Sequence, residues 1–132
     1  MFLASLTRLQ KEAFFCLAHN VVVSDGELSA GEREMMQEMR TELGIPPAFE
    51  PRYIPLAGIE DVFDTRRSRI IALLSLIRLG WADGAFEIEE QCLLDDVRRA
   101  FGVSDTEFGV VRSWVQRLVS LEREAQLMMA AE

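Results

Sequence analysis

The sequence predicts an all-α protein: a single-domain helical bundle of five main helices, with short extra turns, built from two pseudo-twofold helix-hairpin repeats. Three observations predict it. Apolar residues recur at helical spacing, and no stretch reads as a strand. Asp-Gly followed by a Glu seven residues after the Asp occurs twice, as Asp25-Gly26 with Glu32 and as Asp83-Gly84 with Glu90. Each copy ends on a glycine, in Leu43-Gly44 and Phe101-Gly102, and the differences 83 minus 25, 90 minus 32 and 102 minus 44 all equal 58. Turn, acid and terminal glycine share one register, which a chance match at one position would not produce.

The elements follow in order. A first helix is expected from about Ser5 to Val23, and its second half, Phe14 to Val23, is apolar nearly all round. A second runs from about Ala30 to Leu43, with Met35, Met36, Met39 and Leu43 on one face. Ser29 with Glu32 fits the capping-box pattern before it, and Gly44 stands where a left-handed C-terminal cap is wanted. Pro46, Pro47, Pro51 and Pro55 make residues 45–59 an irregular connector, with a short helix near Ile59 to Phe63. A third main helix spans about Thr65 to Ala82, and Ile70 to Leu79 within it is again apolar on nearly every side. The fourth, about Ile88 to Phe101, places Leu93, Leu94, Val97 and Phe101 at the offsets of the second helix's stripe. The fifth runs from about Asp105 to Met128, capped by Ser104 with Glu107, and its stripe is Phe108, Val111, Val115 and Leu118 with Trp114 at the edge. Helices that are apolar all round must be buried on several sides, so the first and third belong at the centre and the others cover them. The domain thus divides into a first repeat at about 5–44, the connector, a second repeat at about 60–103 and a C-terminal helix at about 105–128.

Composition narrows the function. Of 132 residues 49% are hydrophobic and 27% charged, the profile of a folded globular chain, and the net charge of −8 argues against nucleic acid as a partner. The tight basic cluster Arg66, Arg67 and Arg69 opens a helix and reads as a solvated face or as ion pairs. Cys16 and Cys92 share no metal-motif spacing and are expected to be buried free thiols in a reducing cytoplasm. The first ten residues carry no basic stretch before an apolar core, so no targeting segment is read there. Ile70 to Leu79 contains Arg78 and is too short to span a bilayer. A cytoplasmic protein is expected, one still able to dock on a membrane protein.

The doubled acidic turn carries the chemistry. Residues 25–32 resemble the second half of a calcium-binding EF-hand loop, since Gly26 and Glu32 are six apart and Leu28 takes the apolar place. Val21 and Val23, and Leu79 and Trp81 in the second copy, stand where the first two ligands would be, so an autonomous EF-hand site is not expected. Folding chemistry accounts for Gly26, Ser29 and Glu32 as turn and cap, with acids near a helix start favoured by the helix dipole. It leaves Asp25 and Asp83 only partly explained, because Asn would serve a turn. It also leaves the crowding of Glu87, Glu89 and Glu90 into one turn. Cys16 stands three residues before the sole histidine, His19, but no third orienting group and no Gly-rich phosphate loop accompany them, so no catalytic residues and no enzyme are expected.

An apolar helix, Ala/Ser-Asp-Gly, a Glu seven after the Asp, an amphipathic helix and Leu/Phe-Gly-Ile/Val, given twice over roughly residues 10–120, resembles the TerB-like family. That family includes the bacterial tellurite-resistance form and the N-terminal domain of a membrane-anchored J-domain co-chaperone. The resemblance implies an all-α fold with pseudo-twofold symmetry and an acidic patch where the two Asp-Gly turns approach. It maps the family's acids to Asp25, Glu32, Asp83 and Glu90. The short N-terminus and the scarcity of lysine depart from the commoner tellurite-resistance form. The expected function is a non-enzymatic interaction module in stress response, of tellurite-resistance type, with a patch of Asp25, Glu27, Asp83, Glu87 and Glu89. Its expected partner is a protein in a membrane-associated stress-response complex. The alternative is a carboxylate site shared between the repeats, in which Asp25, Glu32, Asp83 and Glu90 hold calcium, magnesium or manganese. Met128 and Met129 are candidates for a homodimer contact.

Overall fold

Short polar side chains set where the helices begin. Thr7, Ser29 and Thr65 hold extended backbone, and each accepts the amide of the residue three further on, Gln10, Glu32 or Ser68, whose side chain accepts in return from the cap amide. Ser104 takes the Glu107 amide in the same way, at 3.1 Å. A cap of this kind stabilises a helix by about 1 kcal/mol, because it satisfies amides that have no partner inside the helix. The computed structural model describes residues 2–24, 28–81 and 88–130, with the backbone alone for 88 and 89. Its regular elements are a 3-10 turn at Leu3–Ser5, α1 at Arg8–Val22, α2 at Ala30–Leu43, α3 at Ile59–Val62, α4 at Arg66–Gly80, α5 at Ile88–Ala100 and α6 at Asp105–Ala130. Among the described residues every regular element is helical. The first helix begins at Arg8 rather than near Ser5 because Thr7 is its cap, and Ser5 belongs to the separate turn.

Glycine and arginine finish the helices. Gly44 and Gly102 take φ of 69° and 70°, and the amides of Ile45 and Val103 return to the Arg40 and Arg98 carbonyls at 3.0 and 3.1 Å. Only glycine adopts that left-handed backbone without strain. Arg40 then donates to the Pro46 carbonyl at 2.5 Å and the Phe49 carbonyl at 3.3 Å, with its guanidinium 4.7 Å from the Phe15 ring centroid. Arg98 donates to the Val103 carbonyl at 2.9 Å. Arg69 bonds three carbonyls, Phe63 at 2.6 Å, Glu60 at 2.9 Å and Phe101 at 3.3 Å, and so ties the ends of α3 and α5 to the start of α4. The basic cluster is therefore split: Arg66 pairs with Glu107 at 2.5 Å, while Arg69 is half-buried in a structural role rather than solvated.

The core is a layer of two central helices covered on their flanks. α1 buries Phe14, Phe15, Leu17, Ala18, Val21 and Val22, and α4 buries Ile71, Ala72, Leu73, Leu76, Ile77 and Leu79. These two pack on each other, α2 lies mainly on α1, α5 on both, and α6 along α4. Phe63 and Phe101 meet in the core with centroids 5.3 Å apart and planes tilted by 59°, a geometry that contributes about 0.5–1.5 kcal/mol beyond area burial. α6 buries Phe108, Val111 and Val115, but from Leu121 onward its large apolar side chains are exposed. Among the described residues no helix is long and apolar enough to cross a membrane.

Candidate functional site

The seven candidate acids divide sharply in where they fall. Asp25, Glu27, Asp83 and Glu87 lie outside the described residues, as do the two Asp-Gly turns, and Glu89 is described by its backbone in α5 alone. Glu32 and Glu90 are described, and both are buried, at 6% and 2% exposure. Each is the third residue of its helix, α2 or α5. The Glu32 carboxylate accepts the Ser29 amide at 3.1 Å, which fastens one oxygen to the helix start. A carboxylate so placed also faces the positive end of the helix dipole, the favourable position for negative charge.

Among the described residues, no three His, Cys, Asp or Glu side chains are placed to hold a metal ion. The carboxyls held below their usual range are elsewhere. The Arg98 side chain, through its hydrogen bond, does this to Asp95, with Arg99 adding charge, and Arg66 does it to Glu107. Asp95 and Glu107 stay about one-third exposed while the Arg98 side chain is largely buried; the Asp95 pairs join turns of α5, and Arg66 with Glu107 joins α4 to α6.

His19 and Cys16 are separated by their surroundings. Cys16 is 1% exposed within the core of α1, closed to any substrate, whereas His19 is half-buried on the wall of a surface groove. The cysteine expectation holds for Cys16 only: Cys92 is exposed. α5 turns Leu94 and Val97 into the core, and the residue at 92 falls on the opposite side.

Sequence reasoning misses that groove. It has a volume of about 360 Å³ and lies where α1, the connector and α5 meet. Leu17, His19 and Val23 form one wall, Leu93 and Val97 the other, and Tyr53, 77% exposed, stands at the rim. The 58-residue register gives a partial signal, because the wall positions have counterparts in the other half of the chain. No family model matches the chain, and comparison with curated proteins and with solved structures finds no similar protein either.

Proposed function

We propose that the chain is a non-enzymatic TerB-like interaction module of bacterial stress response, of tellurite-resistance type and cytoplasmic, that recognises a protein partner through the acids at its two Asp-Gly turns. The observation that carries this reading is a single offset running through two helix pairs. α1 and α4 begin and end 58 residues apart, as do the starts of α2 and α5, the caps Thr7 and Thr65, the glycines Gly44 and Gly102, and the buried acids Glu32 and Glu90. A duplicated hairpin accounts for all of them together, and the sequence joining the helices of each hairpin contains one Asp-Gly pair. Asp25, Glu27, Asp83, Glu87 and Glu89 then supply a surface suited to a basic partner, such as a component of a membrane-associated complex. The exposed Leu127, Met128 and Met129 suit the contact between two copies.

Capture of partners from a native bacterial lysate tests this reading. The expected result is a captured protein that is lost when Asp25→Lys and Asp83→Lys are combined and retained by the single surface change Glu34→Lys. Capture that ignores the double reversal overturns it.

The burial of two carboxylates at matched helix starts favours a second reading, a divalent cation held by Asp25, Glu32, Asp83 and Glu90. Oxygen donors of this kind suit calcium, magnesium or manganese. Titration calorimetry with each ion would give saturable heat that Asp25→Asn removes; heat equal to dilution sinks it.

A further inference from the structure

The groove between α1 and α5 has a twin, and the chain fills the twin itself. Met35, Met39, Ser75 and Arg78 line a space of only about 20 Å³ between α2 and α4. Displaced by 58 residues, these four positions become Leu93, Val97, Leu17 and Asn20 in turn, and all four line the open groove of about 360 Å³. The difference lies in what covers each. In the filled copy Leu3 of the 3-10 turn enters between α2 and α4 and is 1% exposed, with its amide donating to Glu42 Oε2 at 3.1 Å. α6 packs separately along α4. On the other side the cover is the irregular connector, pinned by Arg40 and by Phe49 against Phe15, and it stops short of the space between Leu17, Val23 and Leu93.

We infer that the α1–α5 groove docks a short segment of a partner protein, a single turn or extended stretch with an aliphatic anchor flanked by lysine or arginine. The inference rests on the duplicated-module reading above and names the segment that such a module takes. Shape favours this occupant, because an equivalent pair of walls in the twin accepts a leucine on a one-turn segment. The groove's volume falls within the range of sites that hold specific ligands, about 300–1,000 Å³. Charge favours basic flanks. Among the described residues the groove lining itself contains no Lys, Arg, Asp or Glu, so any charge preference comes from the residues around it. Arg52, beside Tyr53, lines a different pocket together with Glu12. Asp96 is exposed one turn along α5 from Leu93, and Glu50 is exposed next to Pro51, so near the groove two acids stand against the single base Arg52, on a chain of net charge −8.

The test is panning of a phage-displayed library of random twelve-residue peptides on the full chain, followed by fluorescence titration with one enriched peptide. The expected peptides carry Leu, Ile or Met between basic residues. Their affinity falls at least about tenfold on Leu93→Lys, and it weakens as salt is raised, since the flanking contacts are exposed and screened. Tyr53→Ala, at a side chain too exposed to matter for folding, must also weaken binding. Failure to enrich peptides of this composition overturns the inference. So does binding that persists within about twofold in Tyr53→Ala and in folded Leu93→Lys. A dimer in sedimentation that Leu93→Lys converts to monomer overturns the assignment to a separate partner and makes a second copy the occupant. The Asp25→Lys/Asp83→Lys capture experiment is scored separately, so the groove and the acidic-turn reading fail independently.

Discussion

Ser29 and Glu32 hold each other at the start of α2. The Ser29 amide donates to Glu32 Oε1 at 3.1 Å, and the Glu32 amide donates to Ser29 Oγ at 3.0 Å. One of the four acids in the metal reading is thereby engaged in folding chemistry. Glutamine keeps the accepting oxygen, so Glu32→Gln should change stability by less than about 0.5 kcal/mol, whereas Ser29→Ala should cost about 1 kcal/mol. Urea unfolding monitored by helical circular dichroism distinguishes the two. If Glu32→Gln proves the more damaging, the negative charge itself is required, and the cation reading gains ground.

The connector packs Phe49, Ile54 and Leu56 on the core, and one arginine adds its polar attachment to the helical body. Arg40 stacks on Phe15 and donates to two connector carbonyls, at Pro46 and Phe49. Cation–π stacking of a partly desolvated guanidinium and charge-assisted hydrogen bonds together imply that Arg40→Ala destabilises by about 1–2 kcal/mol. Arg40→Lys should recover little, since a single ammonium cannot reproduce the planar fork. Limited proteolysis should show faster cleavage within residues 47–55 in both variants. Equal cleavage rates in wild type and Arg40→Ala would mean that apolar packing alone holds the connector.

How far the sequence reveals the molecule depends on the range of the interaction involved. α2 is legible to the residue, Ala30–Leu43, because Ser29, Glu32 and Gly44 act within a few positions of the ends they set. The short helix after the connector is legible for a similar reason, from prolines before it and an apolar pair within it. The caps Thr7 with Gln10 and Thr65 with Ser68 are harder to see, since Gln and Ser at the third position signal less than Glu. Long-range contacts leave no local trace: nothing near Arg69 in sequence indicates that it reaches the Phe101 carbonyl, 32 residues away. The register matches the groove's walls to those of its twin, but whether a groove stays open depends on how much of α1 an irregular chain covers. No spacing rule encodes that. Of the candidate site, two acids, Glu32 and Glu90, have a described and buried position.

Acid should weaken the fold through two carboxylates whose partners are known. Asp95, beside Arg98 and Arg99, and Glu107, beside Arg66, have folded pKa values below their ordinary ones. Their stabilising effect is therefore complete above the unfolded carboxylate value, about 4, and is lost as pH falls through the lower folded value. Unfolding curves measured stepwise from neutral pH down to about 2.5 should fall more steeply below about pH 4 in the wild type than in Asp95→Asn/Glu107→Gln. Arg66 and Arg99 are well exposed while Arg98 is largely buried, so added salt should reduce the difference, and least for the part that Arg98 contributes. Parallel curves for the two proteins would show that neither contributes.

The far end of α6 separates stability from assembly. Arg78 reaches Glu122 at 2.5 Å, the last contact that ties α6 to α4 through an ion pair among the described residues. Beyond it Leu127, Met128 and Met129 are 67%, 73% and 71% exposed, so they bury almost nothing within one chain. A chain ending at Glu124 keeps the ion pair and every buried residue of α6, and its unfolding free energy should stay within about 0.5 kcal/mol of the full chain's. Flexible thioether and leucine side chains in one exposed stretch suit an adaptable apolar contact. If two copies meet there, light scattering after size exclusion should show the full chain as a dimer and the shortened chain as a monomer. An unchanged mass would remove α6 from the contact while leaving the bundle, and the groove between α1 and α5, as they stand.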